Sequence, residues 1–429
     1  MIKYSEMKDS GIEWIGEIPG HWSLKKIKFL FWERKEKNNP IKSENLISLT
    51  IEKGVIPHSE KTGGGNKPKE DLTKYKLVYP GDIVLNSMNV IAGAVGISNY
   101  FGVVSPVYYM LIARDFNHFN EFYHHMFRNE TFQKSLYGLG NGILIKESEK
   151  SGKLNTIRMR IPMDKLGDQY IPTPPLEEQK RISKYLDQKT EQIDSLIEKI
   201  EKKIELLKEQ RTSLINQCVT KGLDPNVEMK DSGIEWIGEI PSHWEVKKFK
   251  HSYRFGMGET ILKENLSDIG IPVLSATEEY THFGFVEKPK LQLGIGDIVI
   301  PARGNSIGHT KKIRETSTTT QTTIYGKPTS LVDCSFTTYY CNGQRERLFQ
   351  FDRTAIPQIT VDQVQNNNFL YPPLEEQKRI SKYLDQKTEQ IDSLVNSENN
   401  RIKLLKEYRQ SLISSVVTGK VRVTEGMVS

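Results

Sequence analysis

The amino-acid sequence predicts an α+β protein with two mixed β-rich regions, separated by two long antiparallel coiled-coil helices and related by a pseudo-two-fold tandem duplication. Three observations support this prediction. The segment PPLEEQKRISKYLDQKTEQIDSL occurs twice letter for letter, at residues 174–196 and 372–394. A second segment, MKDSGIEWIGEIP followed by HW after one residue, opens two stretches that differ at only four positions, residues 7–28 and 229–250. Leucine or isoleucine recurs every seven residues through and beyond the first PPLEEQ copy, and at all but one of the corresponding positions of the second.

The repeats divide the chain into four segments. The MKDSG pair is offset by 222 residues, a short GDIV pair by 215, and the PPLEEQ pair by 198, so the second unit is shorter in its middle. A repeat of ~200 residues is the size of a domain, which indicates a tandem duplication rather than a solenoid. We therefore predict a variable region at 1–173, a helix at 174–218, a second variable region at 219–371 and a second helix at 372–429.

Each PPLEEQ segment predicts a long helix. Proline is tolerated in the first turn of a helix, and the two glutamates that follow complement the positive end of the helix dipole. A strict seven-residue spacing indicates a coiled-coil seam. Glu398 stands in the second copy where the first has isoleucine, so we expect a locally weaker seam there. The predicted seam residues are Leu186, Ile193, Ile200, Leu207 and Leu214 in the first helix, and Leu384, Ile391, Leu405 and Leu412 in the second.

The predicted helices are long enough to act as spacers. About 40 residues at ~1.5 Å per residue extend ~60 Å, more than the width of a compact domain of ~150 residues. Two such rods in one chain predict an antiparallel pair with one variable region at each end. The alternative is a solvated amphipathic helix that packs only on its own domain. Identical helix faces could also dock two copies of one partner; a recent duplication without functional demand is the alternative explanation.

Both variable regions predict mixed β structure. In the first, residues 46–56, 75–86 and 102–113 are rich in β-branched and aromatic residues between Gly and Pro, and 119–136 is typical of a helix. The corresponding strands of the second are GIPVLSA, LGIGDIVIPA and TTTQTTIYGK.

Polar loops beside these strands carry the candidate nucleic-acid contacts. Arg and Lys bond guanine edges or phosphates, and Asn reads adenine. Three successive glycines in the first loop permit a close approach of the backbone to a partner. The alternative is a set of solvated basic turns. The candidates are Lys61, Asn66, Lys67, Asn86, Ser87 and Asn89 in the first region, and Arg303, Asn305, Lys311, Lys312 and Arg314 in the second.

Composition and motifs argue against several other classes. The net charge of +6 is modest and no segment is a polycationic arm. No apolar run reaches the ~20 residues of a membrane span, and no secretory signal is visible. Three cysteines without C-x-x-C spacing indicate reduced thiols in a cytoplasmic protein. His118, His124 and His125 lack the spacing of a metal site, and no phosphate-binding loop or activated-serine motif occurs. We predict no metal, cofactor or catalytic residue in this chain.

The order of the motifs resembles one known family. W-I-G-E-I-P-x-H-W at residues 14–22 and 236–244, then GDIV, then PPLEEQKRI, resemble the specificity subunit of type I restriction–modification systems over essentially the whole chain. The resemblance implies that the variable regions are target recognition domains and that the helices are spacers. It also implies double-stranded DNA, two modification (methyltransferase) subunits and two restriction subunits as partners. S-adenosylmethionine, ATP and Mg²⁺ would then belong to those partner subunits.

We therefore predict a non-catalytic DNA-recognition subunit with an asymmetric, bipartite target, whose half-sites lie about one helical turn apart. Two other classes stay open: a coiled-coil adaptor without DNA sequence readout, and an enzyme with cryptic motifs. Trp14, Trp22, Trp236 and Trp244 either join each entry segment to the opposite helix or pack only within their own domain.

Overall fold

The computed structural model describes residues 2–51, 53–61, 68–140, 146–147, 154–155, 160–350 and 357–428. The chain forms two compact units. Unit 1 combines residues 1–199 with 400–429, and unit 2 comprises residues 200–399. Each unit therefore holds one variable region and a part of both long helices. The four predicted segments divide the sequence differently, and their boundaries stay a prediction.

The elements in the described part of unit 1 are short strands and helices that lead to one long helix. The strands are β1 (Met7–Asp9), β2 (Glu17–Pro19), β3 (Ser23–Lys26), β4 (Phe31–Arg34), β5 (Ile47–Thr50), β6 (Gly54–Pro57), β7 (Lys76–Val78), β8 (Ile83–Asn86), β9 (Val95–Ile97), β10 (Gly102–Val104), β11 (Tyr108–Ala113), β12 (Lys146–Glu147), β13 (Leu154–Asn155) and β14 (Tyr170–Thr173). The helices are α1 (Ile27–Leu30), α2 (Asn120–Phe127), α3 (Glu130–Ser135), α4 (Met163–Gly167) and α5 (Leu176–Lys221), which continues into unit 2.

A four-stranded antiparallel sheet, in the order β4–β11–β8–β9, forms the centre of unit 1. Successive side chains of a strand point to opposite faces of a sheet. Leu111 and Ile83, which are paired across β11 and β8, belong to the same buried cluster as Leu186 of α5. The next pair, Met110 and Val84, packs on the other face against the hairpin β5–β6. The sheet thus has a helix side and an opposite side, which we call the outer layer.

Unit 2 repeats this architecture in its described residues. The strands are β15 (Met229–Asp231), β16 (Glu239–Pro241), β17 (Glu245–Lys248), β18 (Tyr253–Met257), β19 (Ile271–Leu274), β20 (His282–Val286), β21 (Ile298–Pro301), β22 (Lys311–Lys312), β23 (Thr318–Thr319), β24 (Thr323–Pro328) and β25 (Asn368–Tyr371). The helices are α6 (Cys334–Gly343), α7 (Arg345–Leu348), α8 (Val361–Asn366) and α9 (Leu374–Val417), which continues into unit 1.

The central sheet of unit 2 has the order β18–β24–β21–β22, strand for strand the topology of unit 1. Ile298 and Ile300 of β21 join the cluster that contains Leu384 of α9. Val299, between them, faces the outer layer and packs with Leu274. The predicted α+β fold class with an internal duplication is confirmed.

The GDIV motif is the turn that starts β8 and β21. Gly81 and Gly296 have φ of +90° and +102°, a conformation that glycine adopts without strain. The carboxylate of Asp82 accepts the Tyr79 N–H at 3.0 Å, and that of Asp297 accepts the Gly294 N–H at 2.9 Å. The two motifs are therefore strand-initiating turns.

The long helices are continuous. Helix α5 has 46 residues and α9 has 44, which correspond to ~65–70 Å at ~1.5 Å per residue. Prolines precede both helices, and paired glutamates occupy the first turn of each.

The two long helices pair in antiparallel fashion within each unit. In unit 1, Arg409 of α9 lies 3.0 Å from Asp194 of α5. In unit 2, Arg211 of α5 lies 3.0 Å from Asp392 of α9. A residue late in one helix therefore meets a residue early in the other, so the helices do not pack only on their own domains. Of the predicted seam residues, Leu186, Ile193, Ile200, Leu384, Ile391 and Leu412 are buried, whereas Leu207, Leu214 and Leu405 are half-buried.

Glu398 lies inside this seam. Its residue is only 8% exposed, and its carboxylate accepts a hydrogen bond of 2.6 Å from Nζ of Lys203. Helix α9 runs without interruption through residues 396–400. The expected weak point is therefore a polar pair within an unbroken helix.

Trp22 and Trp244 lie between the entry segments and the ends of the opposite helices. A Cβ placed on Gly419, just after α9, would lie 3.1 Å from the Trp22 ring. A Cβ on Gly222, just after α5, would lie 3.4 Å from the Trp244 ring. Trp14 instead packs on the core of its own domain. Both sequence alternatives thus occur, each for different tryptophans. None of the helices in the described residues is both long and apolar enough to cross a membrane.

We expect the Glu398→Ile variant to raise the free energy of unfolding by about 1 kcal/mol. Removing one partner of a buried ion pair is destabilising when the remaining charge stays buried. Here the remaining Lys203 is about half-exposed and can be solvated by water, while the isoleucine fills the seam. Urea denaturation followed by circular dichroism measures the change. Glu389→Ile, on the exposed face of the same helix, is the control. A clear loss of stability in Glu398→Ile alone would contradict the prediction.

Candidate functional site

Each variable region is attached at the start of its own long helix by a buried glutamine. The Gln179 side chain accepts the Phe119 N–H at 2.8 Å and donates to the Asn117 and Pro174 carbonyls at 3.1 and 2.8 Å. In unit 2, Gln377 accepts the Asp333 N–H at 2.9 Å and donates to a carbonyl of its own prolyl turn. These bonds satisfy the backbone just before α2 and α6. Each variable region is thereby joined to its helix.

A second attachment lies two turns further along each helix. Asp187 is 2.8 Å from the imidazole of His125, and the equivalent Asp385 accepts a 2.7 Å hydrogen bond from the hydroxyl of Tyr339. The aspartate is repeated, whereas its partner on the variable region differs in kind. The repeated helix therefore accommodates two unlike domains.

Glu178 supports the entry segment of unit 1 with three contacts. Its carboxylate accepts from the Tyr4 hydroxyl at 2.8 Å and the Trp22 indole at 3.1 Å, and lies 2.6 Å from the ring of His21. Burial opposes ionisation of this carboxyl, but the hydrogen bonds from these neighbours outweigh it, so the pKa of Glu178 lies below its usual value. The residue is therefore ionised when the unit is folded.

The equivalent carboxylate in unit 2 has fewer contacts. Glu376 lies 2.7 Å from the ring of His243. The indole N–H of Trp244 is buried and has no hydrogen-bond partner in the described part of the chain. Position 226, equivalent to Tyr4, is Asn. Identical residues in the two copies thus take part in different hydrogen-bond networks.

A cleft of about 630 Å³ lies where α2 of unit 1 meets the long helices. His124, Arg128, Asp194 and Arg409 line it. Within the described residues, no group of three or more His, Cys, Asp or Glu side chains is arranged to hold a metal ion. The mixed charge of the cleft gives no preference for an anion or a cation.

The polar candidates of the first region lie at different depths. Lys61, Asn86 and Asn89 are half-buried, and Asn66 and Lys67 lie outside the described residues. Ser87 is 1% exposed, and its hydroxyl donates to the Val107 carbonyl at 2.6 Å. Ser87 is therefore corrected to a structural residue, because its side chain is buried and already bonded.

The DNA-contact candidates of the second region also differ in their exposure to solvent. Arg303, Asn305 and Arg314 are exposed, and Lys312 is half-buried with its amine bonded to the Ser335 hydroxyl at 2.9 Å. Lys311 is only 7% exposed, and burial lowers its pKa to about 8. Its ammonium group donates to three backbone carbonyls of residues 275, 277 and 279. Lys311 is therefore corrected from a DNA-contact candidate to an internal residue.

The sequence analysis missed three kinds of residue. The anchors Gln179 and Gln377 were detectable, because both lie in a segment that is identical in the two copies. Trp32 was not, because nothing in its strand indicates that it is 55% exposed with the Arg114 guanidinium 3.5 Å above its ring. The predicted strand GIPVLSA includes residues 275 and 276 of the loop at 275–281, and nothing in the sequence singles out residues 277–281.

The fold and the anchored, unlike variable regions define a class of protein: a chain of two related α+β domains that share a pair of long helices. The chain belongs to the type I restriction–modification DNA specificity family, whose model matches residues 22–206 and 241–404. It is 24% identical over 95% of its length to a putative type I restriction enzyme MjaX specificity subunit of Methanocaldococcus jannaschii, of which it covers 96%. It is 27% identical over 59% of its length to the MjaVIII specificity subunit of the same organism, of which it covers 62%.

Two solved structures share the fold. One, described by the assembly and conformational transition of a type I restriction–modification complex, has a TM-score of 0.68 at 17% identity, covering 94% of this chain and 99% of that one. The other is the HsdS subunit of Thermoanaerobacter tengcongensis, with a TM-score of 0.53 at 18% identity, covering 94% and 98%. At this identity the likeness shows the fold.

We expect Glu178→Ala to destabilise unit 1 by about 3 kcal/mol and Glu376→Ala to destabilise unit 2 by only about 1 kcal/mol. Hydrogen bonds to charged groups are worth ~1.5–3 kcal/mol, and removing the acceptor leaves buried donors unsatisfied. Hydrogen exchange of the amides in each unit measures the two effects separately. Equal losses in both variants would contradict this asymmetry.

Proposed function

We propose that this chain is the non-catalytic subunit that selects an asymmetric, bipartite DNA target and docks two modification subunits on its long helices. One observation carries the proposal: the two copies agree on the helices and differ in the outer layers. Anchors, seam and exposed helix faces are repeated, whereas the outer layers are built from unlike residues. Such a chain offers the same surface twice to one kind of partner, and two different surfaces to another.

The docking surface we propose is the exposed stripe on the repeated part of each helix. Lys184, Glu191 and Ser195 are exposed, and half-buried Gln188 lies among them at helical spacing on α5; none of the four anchors a variable region or forms an interhelical ion pair described above. The same four letters recur on α9 as Lys382, Gln386, Glu389 and Ser393. Two copies of one partner could therefore bind through equivalent contacts.

An exposed leucine extends the repeated surface of each helix. Leu206 of α5 is 56% exposed and Leu404 of α9, 198 residues later, is 63% exposed. Large apolar side chains that remain exposed in a repeated position favour a protein partner rather than solvent. The docked partner we propose is the modification subunit, which would supply S-adenosylmethionine and the methyl transfer.

We expect Lys184→Glu and Lys382→Glu to remove one modification subunit each, and the double variant to remove both. Reversing a charge within an interface lowers affinity by about tenfold or more. Light scattering of the chain mixed with modification subunits measures the stoichiometry. Lys263→Glu, an exposed change outside the helices, is the control. A double variant that still binds two subunits would contradict the proposed surface.

The DNA target should contain two different half-sites, because the two outer layers differ. Arg303, Asn305 and Arg314 are exposed in the second region, and the Trp32–Arg114 pair is exposed in the first. Arg, Lys and Asn are the side chains that bond base edges and phosphates. Long helices shared by both units would set the separation of the half-sites.

We expect binding to tolerate any sequence in the gap between the half-sites but not a change of its length. Adding two base pairs rotates one half-site by about a fifth of a turn, since B-DNA repeats every 10–10.5 base pairs, and should weaken binding about 100-fold. Competition binding of the chain assembled with modification subunits measures both effects. Equal affinity for all gap lengths would contradict the role of the long helices as a spacer of fixed length.

The isolated chain should neither methylate nor cleave DNA. Activity without partners would contradict the non-catalytic assignment.

A further inference from the structure

One position of the central sheet, on the face that carries the outer layer, is occupied by different residues in the two units. In unit 1, Gly96 of β9 is paired with Val84 of β8. In unit 2, Lys311 of β22 is paired with Val299 of β21. The two valines occupy the same place in the GDIV motifs. Gly96 and Lys311 are therefore equivalent, and paired residues on adjacent strands face the same side of a sheet, here the outer layer.

In unit 2 this position holds a loop. Lys311 donates to the carbonyls of Ser275, Thr277 and Glu279 at 2.7, 2.8 and 3.1 Å. An ammonium group has three N–H donors, so all of them are used. The loop, residues 275–281, connects β19 to β20. Alternate carbonyls of the loop thus converge on a single buried nitrogen.

A second tie holds the far end of the same loop. The hydroxyl of Tyr280 accepts the backbone N–H of Arg314 at 3.1 Å, and the Arg314 guanidinium lies 4.8 Å from the Tyr280 ring centre. Thr277, Glu278 and Glu279 remain exposed between the two ties. The loop is therefore held in one pose while its side chains stay available to a ligand.

In unit 1 the equivalent position carries no side chain. The hairpin β5–β6 packs directly on Gly96: a Cβ there would lie 2.9 Å from the Val55 nitrogen and 3.1 Å from the Gly54 Cα. Real Cβ atoms do not approach backbone this closely, so any larger residue would displace the hairpin. The same sheet position thus sets the pose of a short hairpin in one unit and of a longer loop in the other.

We propose that this sheet position places the base-reading hairpin of each recognition domain, and that Lys311 is a positioning residue for loop 275–281, which contacts the second DNA half-site. The proposal rests on the proposed function and adds which element reads the bases. The outer layer carries a short hairpin in unit 1 and a longer loop in unit 2, so it presents a different surface at each half-site.

The chemistry of the loop points to a C·G pair in that half-site. A glutamate oxygen accepts from the amino group of cytosine, and arginine donates to guanine O6 and N7. Glu278 and Arg314 both line the cleft beside this loop. The two side chains therefore offer the acceptor and the donors that a C·G edge requires.

The experiment uses the chain assembled with modification subunits and three duplexes: the intact target, one with the first half-site scrambled and one with the second scrambled. The affinity ratio between intact and scrambled duplexes measures discrimination at each half-site. We expect Lys311→Met to lower discrimination at the second half-site at least about tenfold and to leave the first within about twofold. Gly96→Ala should do the reverse. Loss of the unit 2 fold would also act on the second half-site alone, so hydrogen exchange of the unit 2 amides in Lys311→Met must match that of the wild-type complex.

Two further variants control for folding. Lys327→Met changes another half-buried lysine of unit 2, whose amine bonds the Gln292 carbonyl rather than the loop, and should change discrimination at neither half-site. Glu278→Gln alters only an exposed loop side chain and should lower discrimination at the second half-site. If Lys311→Met does not fold, Glu278→Gln and Gly96→Ala decide the matter.

Two results would overturn the inference. One is unchanged discrimination at the second half-site in both Lys311→Met and Glu278→Gln. The other is an equal loss at both half-sites in Lys311→Met or in Gly96→Ala. A wild-type complex that discriminates at neither half-site would instead refute the proposed function, so the two failures are distinguishable.

Discussion

The structure depends on the way each long helix begins. At that point a buried glutamine, Gln179 or Gln377, must bond backbone groups of a variable region and of the prolyl turn at once. Buried backbone groups left without partners cost about 1–3 kcal/mol each. A helix start that meets this requirement cannot change without releasing the domain it holds. The same condition applies at the second helix, which is a physical reason for two identical segments in one chain.

The central sheet of each unit has one face that packs on the long helices and one face that carries the outer layer. Its helix side packs into a core shared with α5 and α9, and there the strands of the two units correspond. Its outer side supports a short hairpin in unit 1 and a longer loop in unit 2. A sheet residue contributes to only one of these faces, because side chains alternate along a strand. The outer face can therefore vary while the core on the other face stays unchanged.

The sequence predicted the large features of this fold because they are periodic or repeated. The duplication, the two helices and their antiparallel pairing follow from repeated segments and a seven-residue spacing. The burial of individual polar residues could not be predicted from these patterns. In the sequence, Lys311 is a basic residue like its neighbours Lys312 and Arg314. Its pairing with Val299, however, points its side chain to the outer-layer face of the sheet. Such burial depends on strand register, which local sequence does not reveal. The burial of Ser87, directly after β8, also depends on a distant segment, since its hydroxyl donates to the Val107 carbonyl.

If partners dock on the matching stripes of α5 and α9 as proposed above, the match has a consequence for how a full complex is populated. Faces with the same residues have equal intrinsic affinity for one partner, so occupancy follows a binomial distribution unless the bound partners touch each other. At half saturation about half of the chains would then carry a single partner and only about a quarter would carry both. Scarcity of that partner would leave most molecules incomplete, and the share of complete assemblies would rise with the square of the fractional occupancy.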